Sequence, residues 1–260
     1  VTKLGSLNAE MLRDVLSSKS IIKIGGAFDA MSAKLVEMQK FDAVWAGSFA
    51  ISATHALPDA SIMTMTEFLG VAASMVETCS IPVIADCDTG FGGPSNVSHL
   101  VKKYESAGVA AICMEDKTFP KQNSLLEDSN QDLISEKDFV AKIIAGKEAK
   151  KNPNFMIIAR IEALIAGKGM DEAIKRASAY EKAGADAILI HSKQKTPDEV
   201  FQFAKLRQGN LPIFVVPTNY PSVSITDLVS HKIKGIIYAN QTLRAAHSAM
   251  LKVLEDIMKN

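Results

Sequence analysis

Acids, a cation and an amide gather around residue 115. Met114-Glu115-Asp116-Lys117-Thr118-Phe119-Pro120-Lys121-Gln122-Asn123-Ser124 follows an apolar run over residues 109–114 that has the character of a buried strand. Two acids therefore stand where that strand should end, and a carboxylate at a strand end can hold a metal. Beyond Pro120, Lys121 and Asn123 place a cation and an amide on a loop that can close over an anionic substrate. A second acidic pair, Asp86 and Asp88, follows the apolar run 81–85 and leads into the glycine-rich turn Thr89-Gly90-Phe91-Gly92-Gly93-Pro94. Alternate side chains of an extended chain share one side, so Asp86 and Asp88 are expected together and Cys87 away from them, in the core. Asp86, Asp88 and Glu115 make an oxygen-only set without thiolate or paired imidazole. Such a set favours Mg2+, with Mn2+ as a substitute, over Zn2+, unless Asp86 or Asp88 simply caps the next helix or turn. Because Mg2+ keeps several waters, one carboxylate is expected to bind it directly and the others through its waters.

Other polar residues also follow apolar runs directly. Arg160 has the forked donors that suit a carboxylate or phosphoryl group, unless it simply pairs with Glu162 or Glu115. His191 can donate a hydrogen bond or transfer a proton, unless it is simply a packed, satisfied histidine. Gly47, Ser48 and Phe49, after Trp45, offer backbone N–H groups and a hydroxyl as an anion nest. Thr218 and Asn240 close two further runs. Asp59 follows Pro58 in a loop, where it is either a nucleophile or acid or an ordinary turn residue. His55, His99, His231 and His247 have no ligand-like spacing.

These residues need elements to hold them. Strands are expected over residues 21–24, 43–45, 81–85, 109–114, 155–159, 187–190, 213–216 and 233–238. Helices are expected over 7–17, 29–38, 66–76, 96–107, 135–150, 170–183, 197–205 and 242–258. Leu12, Val15 and Leu16 face inward in the first helix, and Met31, Leu35 and Met38 recur with helical spacing in the second. Thr66 is the expected N-cap of the third. Glycine closes helices at Gly108 and Gly184. The strands are continuous Val/Ile/Ala runs, as when both faces are covered. Eight alternations without a linker predict one α/β domain over residues 1–260, a closed (β/α)8 TIM-type barrel. Chemistry in such a barrel sits at the C-terminal strand ends, where the residues above fall.

The 29 basic and 29 acidic residues balance, so no general field draws the chain to nucleic acid or an acidic membrane. Cys79, Cys87 and Cys113 lack Cys-x-x-Cys spacing and are expected as reduced thiols of a cytoplasmic protein. Residues 1–3 show no leader pattern, and no apolar run is long enough to span a bilayer.

Together, Trp45-Ala46-Gly47-Ser48, Asp86-x-Asp88-Thr89-Gly90-Phe91-Gly92, Glu115-Asp116-Lys117-x-Phe119-Pro120-Lys121-x-Asn123-Ser124, Ala159-Arg160-x-Glu162-Ala163 and Ile190-His191-Ser192 resemble the phosphoenolpyruvate mutase/isocitrate lyase superfamily. The resemblance covers nearly the whole chain and is nearest the branch of phosphoenolpyruvate phosphomutases and phosphonopyruvate hydrolases. It implies a Mg2+-dependent enzyme acting on phosphoenolpyruvate or phosphonopyruvate, with Asp86, Asp88 and Glu115 around the metal. It further implies that Trp45, Gly47, Ser48 and Phe49 bind the substrate's carboxylate or oxo end, and that Arg160 and His191 grip the phosphoryl group. Lys121 and Asn123 would close over it, and Asp59 stands where the family has a nucleophile or orienting acid.

The same resemblance separates the chemistries. Carbon–carbon lyases of the superfamily carry a gating cysteine where this chain has Asn123, so a lyase is not expected. Hydrolases resemble the chain over residues 57–60 and 191–199 but carry threonine at the Asn123 position. Mutases carry asparagine there, so interconversion of phosphoenolpyruvate and phosphonopyruvate is the expectation, with the hydrolase as alternative and an inactive binding paralogue as a third reading. Two stretches depart from the mutase pattern. Gly26-Ala27-Phe28-Asp29-Ala30 is nearer the lyases, and Gly47-Ser48 inverts the usual Ser-Gly order. A dimer or tetramer is also implied, through a further C-terminal segment that these 260 residues do not contain.

Overall fold

The computed structural model describes residues 3–126, 129 and 131–259; Val1 and Asn260, at the two ends of the sequence, lie outside that range. Eight parallel strands close on themselves in chain order. They are β1 (Ile22–Ala27), β2 (Ala43–Ala46), β3 (Val83–Asp86), β4 (Ala111–Glu115), β5 (Met156–Ile161), β6 (Ala187–Ile190), β7 (Ile213–Val215) and β8 (Ile233–Tyr238). Alternation along each strand sorts side chains between two cores. On β2, Ala43 and Trp45 point into the barrel while Val44 and Ala46 meet the helices; on β4, Ala111 and Cys113 point in while Ile112 and Met114 point out. Both faces are buried, which is why the strands are unbroken apolar runs.

The helices are α1 (Lys3–Ser18), α2 (Ala30–Met38), α3 (Ser48–Thr54), α4 (Met65–Thr78), α5 (Pro94–Ser106), α6 (Glu136–Ala149), α7 (Gly169–Lys182), α8 (Asp198–Leu206), α9 (Ile225–Ser230) and α10 (Gln241–Lys259). α1 closes the bottom of the barrel. Its Leu12 and Leu16 join the interior cluster, while Asn8 and Arg13 bond the Gly108 and Asn154 carbonyls just before β4 and β5.

The sequence reading needs correction in three places. The cap of α4 is Thr64, not Thr66: its hydroxyl accepts from the Glu67 N–H and the Glu67 carboxylate accepts from the Thr64 N–H, a capping box. The turns α3 and α9 were not anticipated; Gly47 caps α3, and the Ser224 side chain caps α9. The helix expected from the spacing of Met31, Leu35 and Met38 is present as α2; these three residues face solvent, and Ala33 and Val36 face the barrel. Arg160 lies inside β5 rather than after it.

The three cysteines are buried and unpaired, and Cys87 sits in the outer core as its alternation requires. No helix among the described residues is long and apolar enough to cross a membrane. α10 buries none of its residues.

Candidate active site

A cleft of about 660 Å³ occupies the C-terminal mouth of the barrel. Trp45, the last inward residue of β2, forms part of its floor, and the chain turns at Gly47 into α3. A side chain at Gly47 would stand 3.1 Å from the Trp45 indole, so the turn passes tightly over the ring. The Gly47 N–H reaches the Ala27 carbonyl at 3.4 Å, so of the expected nest only the Ser48 and Phe49 amides begin the helix without an earlier carbonyl to bond. The Ser48 hydroxyl donates to Asp86 Oδ2 at 3.0 Å and accepts from Lys121 Nζ at 3.3 Å.

Asp86 ends β3 and lines the cleft. Asp88 arrives by a different route from the expected one. Its backbone adopts φ 48, a left-handed conformation that Asp tolerates, so simple alternation no longer applies. Its carboxylate still reaches the same neighbourhood: Oδ1 lies 2.9 Å from Lys121 Nζ, and Oδ2 accepts from the Ser61 hydroxyl at 3.2 Å.

The loop after β4 folds back over the mouth. Its stem is fixed by a bridge between Lys117 and Leu133 and by Thr118 N–H donating to the Asp132 carbonyl. Lys121 and Asn123 both turn inward to Asp59. Lys121 Nζ lies 3.0 Å from Asp59 Oδ1, and Asn123 Nδ2 donates to Asp59 Oδ2 at 2.8 Å. Lys121 is buried, not a mobile surface cation. Burial works against its charge, but Asp88, Glu115, Asp59 and Asp86 outweigh that and hold it well above the usual lysine value. Burial likewise pushes Asp59 up, yet Lys121 and the Asn123 amide bring its carboxyl below the ordinary range.

Across the cleft, Glu115 and Arg160 are register partners on β4 and β5. Arg160 Nε donates to Glu162 Oε1 at 2.5 Å and lies 3.2 Å from Glu115 Oε2. Both structural pairings entertained for Arg160 are therefore present, while the residue also lines the cleft. Glu162 Oε1 further lies 2.9 Å from His191 Nδ1, which is also 2.9 Å from Arg160 Nη2. One nitrogen cannot donate to the carboxylate and accept from the guanidinium at once; under either tautomer Nε2 is left for a ligand. Burial lowers the His191 pKa and Arg160 adds to that, against the pull of Glu162, so the ring is neutral at pH 7. Burial alone would raise Glu162, but Arg160, His191 and Lys117 hold it well below the usual carboxylate value.

The donor set fits a hydrated hard cation. No group of three His, Cys, Asp or Glu side chains close enough to grip an ion directly occurs among the described residues. Direct chelation by Asp86, Asp88 and Glu115 together is thus not what the mouth offers. Asp88 Oδ1 and Glu115 Oε2 are buried and met by ion pairs with Lys121 and Arg160, at 2.9 and 3.2 Å, while Glu115 Oε1 is buried without a hydrogen bond and Asp86 faces the cleft. Waters of an ion held at Asp86 would supply a donor to Glu115 Oε1. Burial, reinforced by Asp88 and Glu115 against Lys121 and Arg160, pushes the Asp86 carboxyl up to about 6.

All fourteen residues singled out from the sequence, Thr218 and Asn240 included, come to this mouth or its immediate wall. Sequence reasoning missed Lys117, Ser124, Ser61 and Arg244. Lys117 and Ser124 stand inside the quoted motif, and a lysine directly after two strand-end acids was the available signal. Ser61 sits in an ordinary loop. Arg244 lines the cleft from the first turn of α10, and nothing in its spacing marked it.

Fold and mouth together define a barrel enzyme of the phosphoenolpyruvate mutase/isocitrate lyase superfamily. The sequence profile of the phosphoenolpyruvate phosphomutase family matches residues 12–258, and the chain belongs to that family. It is 45% identical over 252 residues to a phosphonopyruvate hydrolase of Variovorax sp. (strain Pal2), covering 96% of this chain and 87% of the relative. The crystal structure of a phosphoenolpyruvate phosphomutase from Streptomyces platensis subsp. rosaceus is similar with a TM-score of 0.95 at 46% identity, over 97% of this chain and 88% of the other. A phosphonopyruvate hydrolase in complex with oxalate and Mg2+ follows with a TM-score of 0.91 at 43% identity, over 97% and 87%.

Proposed function

We propose that this enzyme is a phosphoenolpyruvate phosphomutase, interconverting phosphoenolpyruvate and phosphonopyruvate. The observation that carries the reading is the clamp on Asp59. Asn123 and Lys121 reach it from a loop folded over the cleft, and the amide covers the carboxylate where an attacking water would otherwise approach.

In this reading Trp45, Gly47, Ser48 and Phe49 hold the pyruvate end, with the Ser48 and Phe49 amides toward its negative charge. Arg160 and neutral His191 receive the phosphoryl oxygens. Asp86, Asp88 and Glu115 are the residues that would hold Mg2+, or Mn2+ in its place. Bound there, the ion would offset the charge of the enol oxygen as it loses phosphorus. The phosphoryl group leaves that oxygen, either as a loose metaphosphate-like species or onto Asp59, and C3 of the retained enolate then captures phosphorus. Little covalent work falls to the protein, and catalysis is positioning and charge stabilisation.

The hydrolase reading has its own support in the 45% identical Variovorax relative. Phosphorus NMR of the protein with phosphonopyruvate and Mg2+ separates the two. Conversion to phosphoenolpyruvate supports the mutase; free phosphate with matching pyruvate, and no phosphoenolpyruvate, overturns it in favour of the hydrolase. No turnover would favour a binding paralogue.

A homo-oligomer, dimer or tetramer, is part of the same proposal. α10 exposes Met250, Leu251, Leu254, Ile257 and Met258, an apolar face of the kind that another subunit covers. A monomeric mass by light scattering would refute it.

A further inference from the structure

Three hydrogen bonds saturate the hydroxyl of Ser124. It donates to Glu162 Oε2 at 2.6 Å and accepts from Lys117 Nζ at 2.6 Å and from Arg160 Nη2 at 3.1 Å. A serine hydroxyl has one hydrogen and two lone pairs, so no capacity is left over. Lys117 stands at the stem of the loop and Ser124 beyond its inward-turning segment. Lys117 Nζ also donates to the Gln122 carbonyl at 2.8 Å and lies 3.5 Å from Glu162 Oε2. Lys117, Ser124 and Glu162 are all buried. The loop is thus fastened to the barrel at a second point, apart from the clamp on Asp59. The fastening acts on the carboxylate that also orients Arg160 through Nε and contacts His191.

We propose that Lys117, Ser124 and Glu162 form a latch that holds the loop closed and thereby keeps water from the transferring phosphoryl group; this last consequence rests on the mutase reading. Ser124 and Lys117 are positioning residues in this scheme. When the loop lifts, Glu162 loses its hydroxyl donor and Lys117 and Arg160 lose an acceptor, all in a buried setting where an unmet partner is costly. Closure therefore draws on the same charges that orient Arg160, and an open loop leaves Arg160 less well fixed.

The test uses Ser124→Ala and, as a second variant should that one fail to fold, Lys117→Gln, which removes the charge and shortens the reach. Hydrogen exchange of the peptide over residues 118–132 is measured on the free protein, with the strand peptides as the folding control. Losing charge-assisted bonds worth roughly 1.5–3 kcal/mol should speed loop exchange about tenfold or more, with the strands unchanged. The double variant should exchange no faster than the faster single one, because both remove one latch. Unchanged loop exchange, or single effects that multiply in the double variant, would overturn the latch. The second readout is the ratio of free phosphate to phosphoenolpyruvate formed from phosphonopyruvate with Mg2+, expected to rise severalfold in the variants. Faster loop exchange with an unmoved ratio would overturn the water-excluding role. A wild-type protein that gives only phosphate would instead overturn the mutase reading, and loop exchange would then decide the latch alone.

Discussion

The Asn123 amide donates to Asp59 Oδ2 across 2.8 Å, joining a loop residue to a carboxylate 64 positions earlier in the chain. The same side chain accepts from the Leu125 N–H at 3.0 Å, so the amide orientation is fixed from within the loop. Asn123→Ala removes the donor and opens a space above Asp59. Under the mutase reading, turnover should fall about a hundredfold, as when one preorganised donor is lost from an active site. Part of the remaining flux should appear as free phosphate. Phosphorus NMR under saturating phosphonopyruvate measures both, and unchanged turnover would refute a role for Asn123.

Lys121 supplies the positive charge between Asp59 and Asp88, 3.0 and 2.9 Å away. Lys121→Met keeps the volume and leaves these buried carboxylates without their cation. Breaking a buried ion pair from one side costs about 3–5 kcal/mol, so the melting temperature should drop by several degrees in metal-free buffer. Mg2+ should restore more stability to the variant than it adds to the wild type, because the ion replaces lost positive charge. Turnover should stay low in both buffers. Melting curves with and without Mg2+ check this, and an unaltered melting temperature would argue against the buried pair.

The acids and the closed barrel were legible because the strands have a simple signature. An unbroken apolar run that stops at an acid marks both the strand and its mouth-facing end, and Asp86 and Glu115 are the last residues of β3 and β4. The outward stripe of α2 shows where periodicity fails. A side chain on Gly25 would stand 2.6 Å from Val36, so this helix packs closely on β1 and needs small or branched residues there. The larger Met31, Leu35 and Met38 are turned outward, although their spacing is equally helical. The cap of α4 was readable in principle, since only Thr64 has a glutamate three residues later. The role of Glu162 was not readable: residue spacing can show that Glu162, just past the end of β5, is near enough to pair with Arg160, but not that Ser124 and His191 meet the same carboxylate.

Mg2+ should act on stability as well as turnover. Glu115 Oε1 is buried without a hydrogen bond, 4.0 Å from Lys117 Nζ, a cost that a hydrated ion would relieve. A ligand that binds only the folded state stabilises it by RT ln(1 + [L]/Kd), about 2.7 kcal/mol at a hundredfold excess over Kd. Calorimetry should show a melting temperature that climbs with Mg2+, and with Mn2+, and falls back on adding a chelator. Glu115→Gln keeps the shape but removes a charge, and should weaken the dependence roughly tenfold in ion concentration. A melting temperature indifferent to either ion would remove the basis for placing a metal here.

His191 provides a pH test with a defined sign. Its ring is buried and its pKa lies below the ordinary 6.5, so in the folded protein it stays neutral where the unfolded chain already takes up a proton. Unfolding is therefore accompanied by proton uptake as the pH falls below about 6.5 toward the lowered folded value. This residue's contribution is neutral above that window and increasingly destabilising through it. Glu162 acts in the same direction at lower pH: its depressed carboxyl stabilises the fold above the usual 4.5, and that stability fades below it. Asp86 opposes both, because a carboxyl raised to about 6 takes up its proton in the folded state first. Comparing the wild type with His191→Asn cancels most of what the other groups contribute. The wild type should lose more stability than the variant between pH 7 and 5, by up to about 1.4 kcal/mol for each unit by which the histidine is lowered. Urea midpoints at the two pH values give the difference directly. If the two proteins lose the same stability, or the variant loses more, the ring is not held neutral against the Arg160 guanidinium.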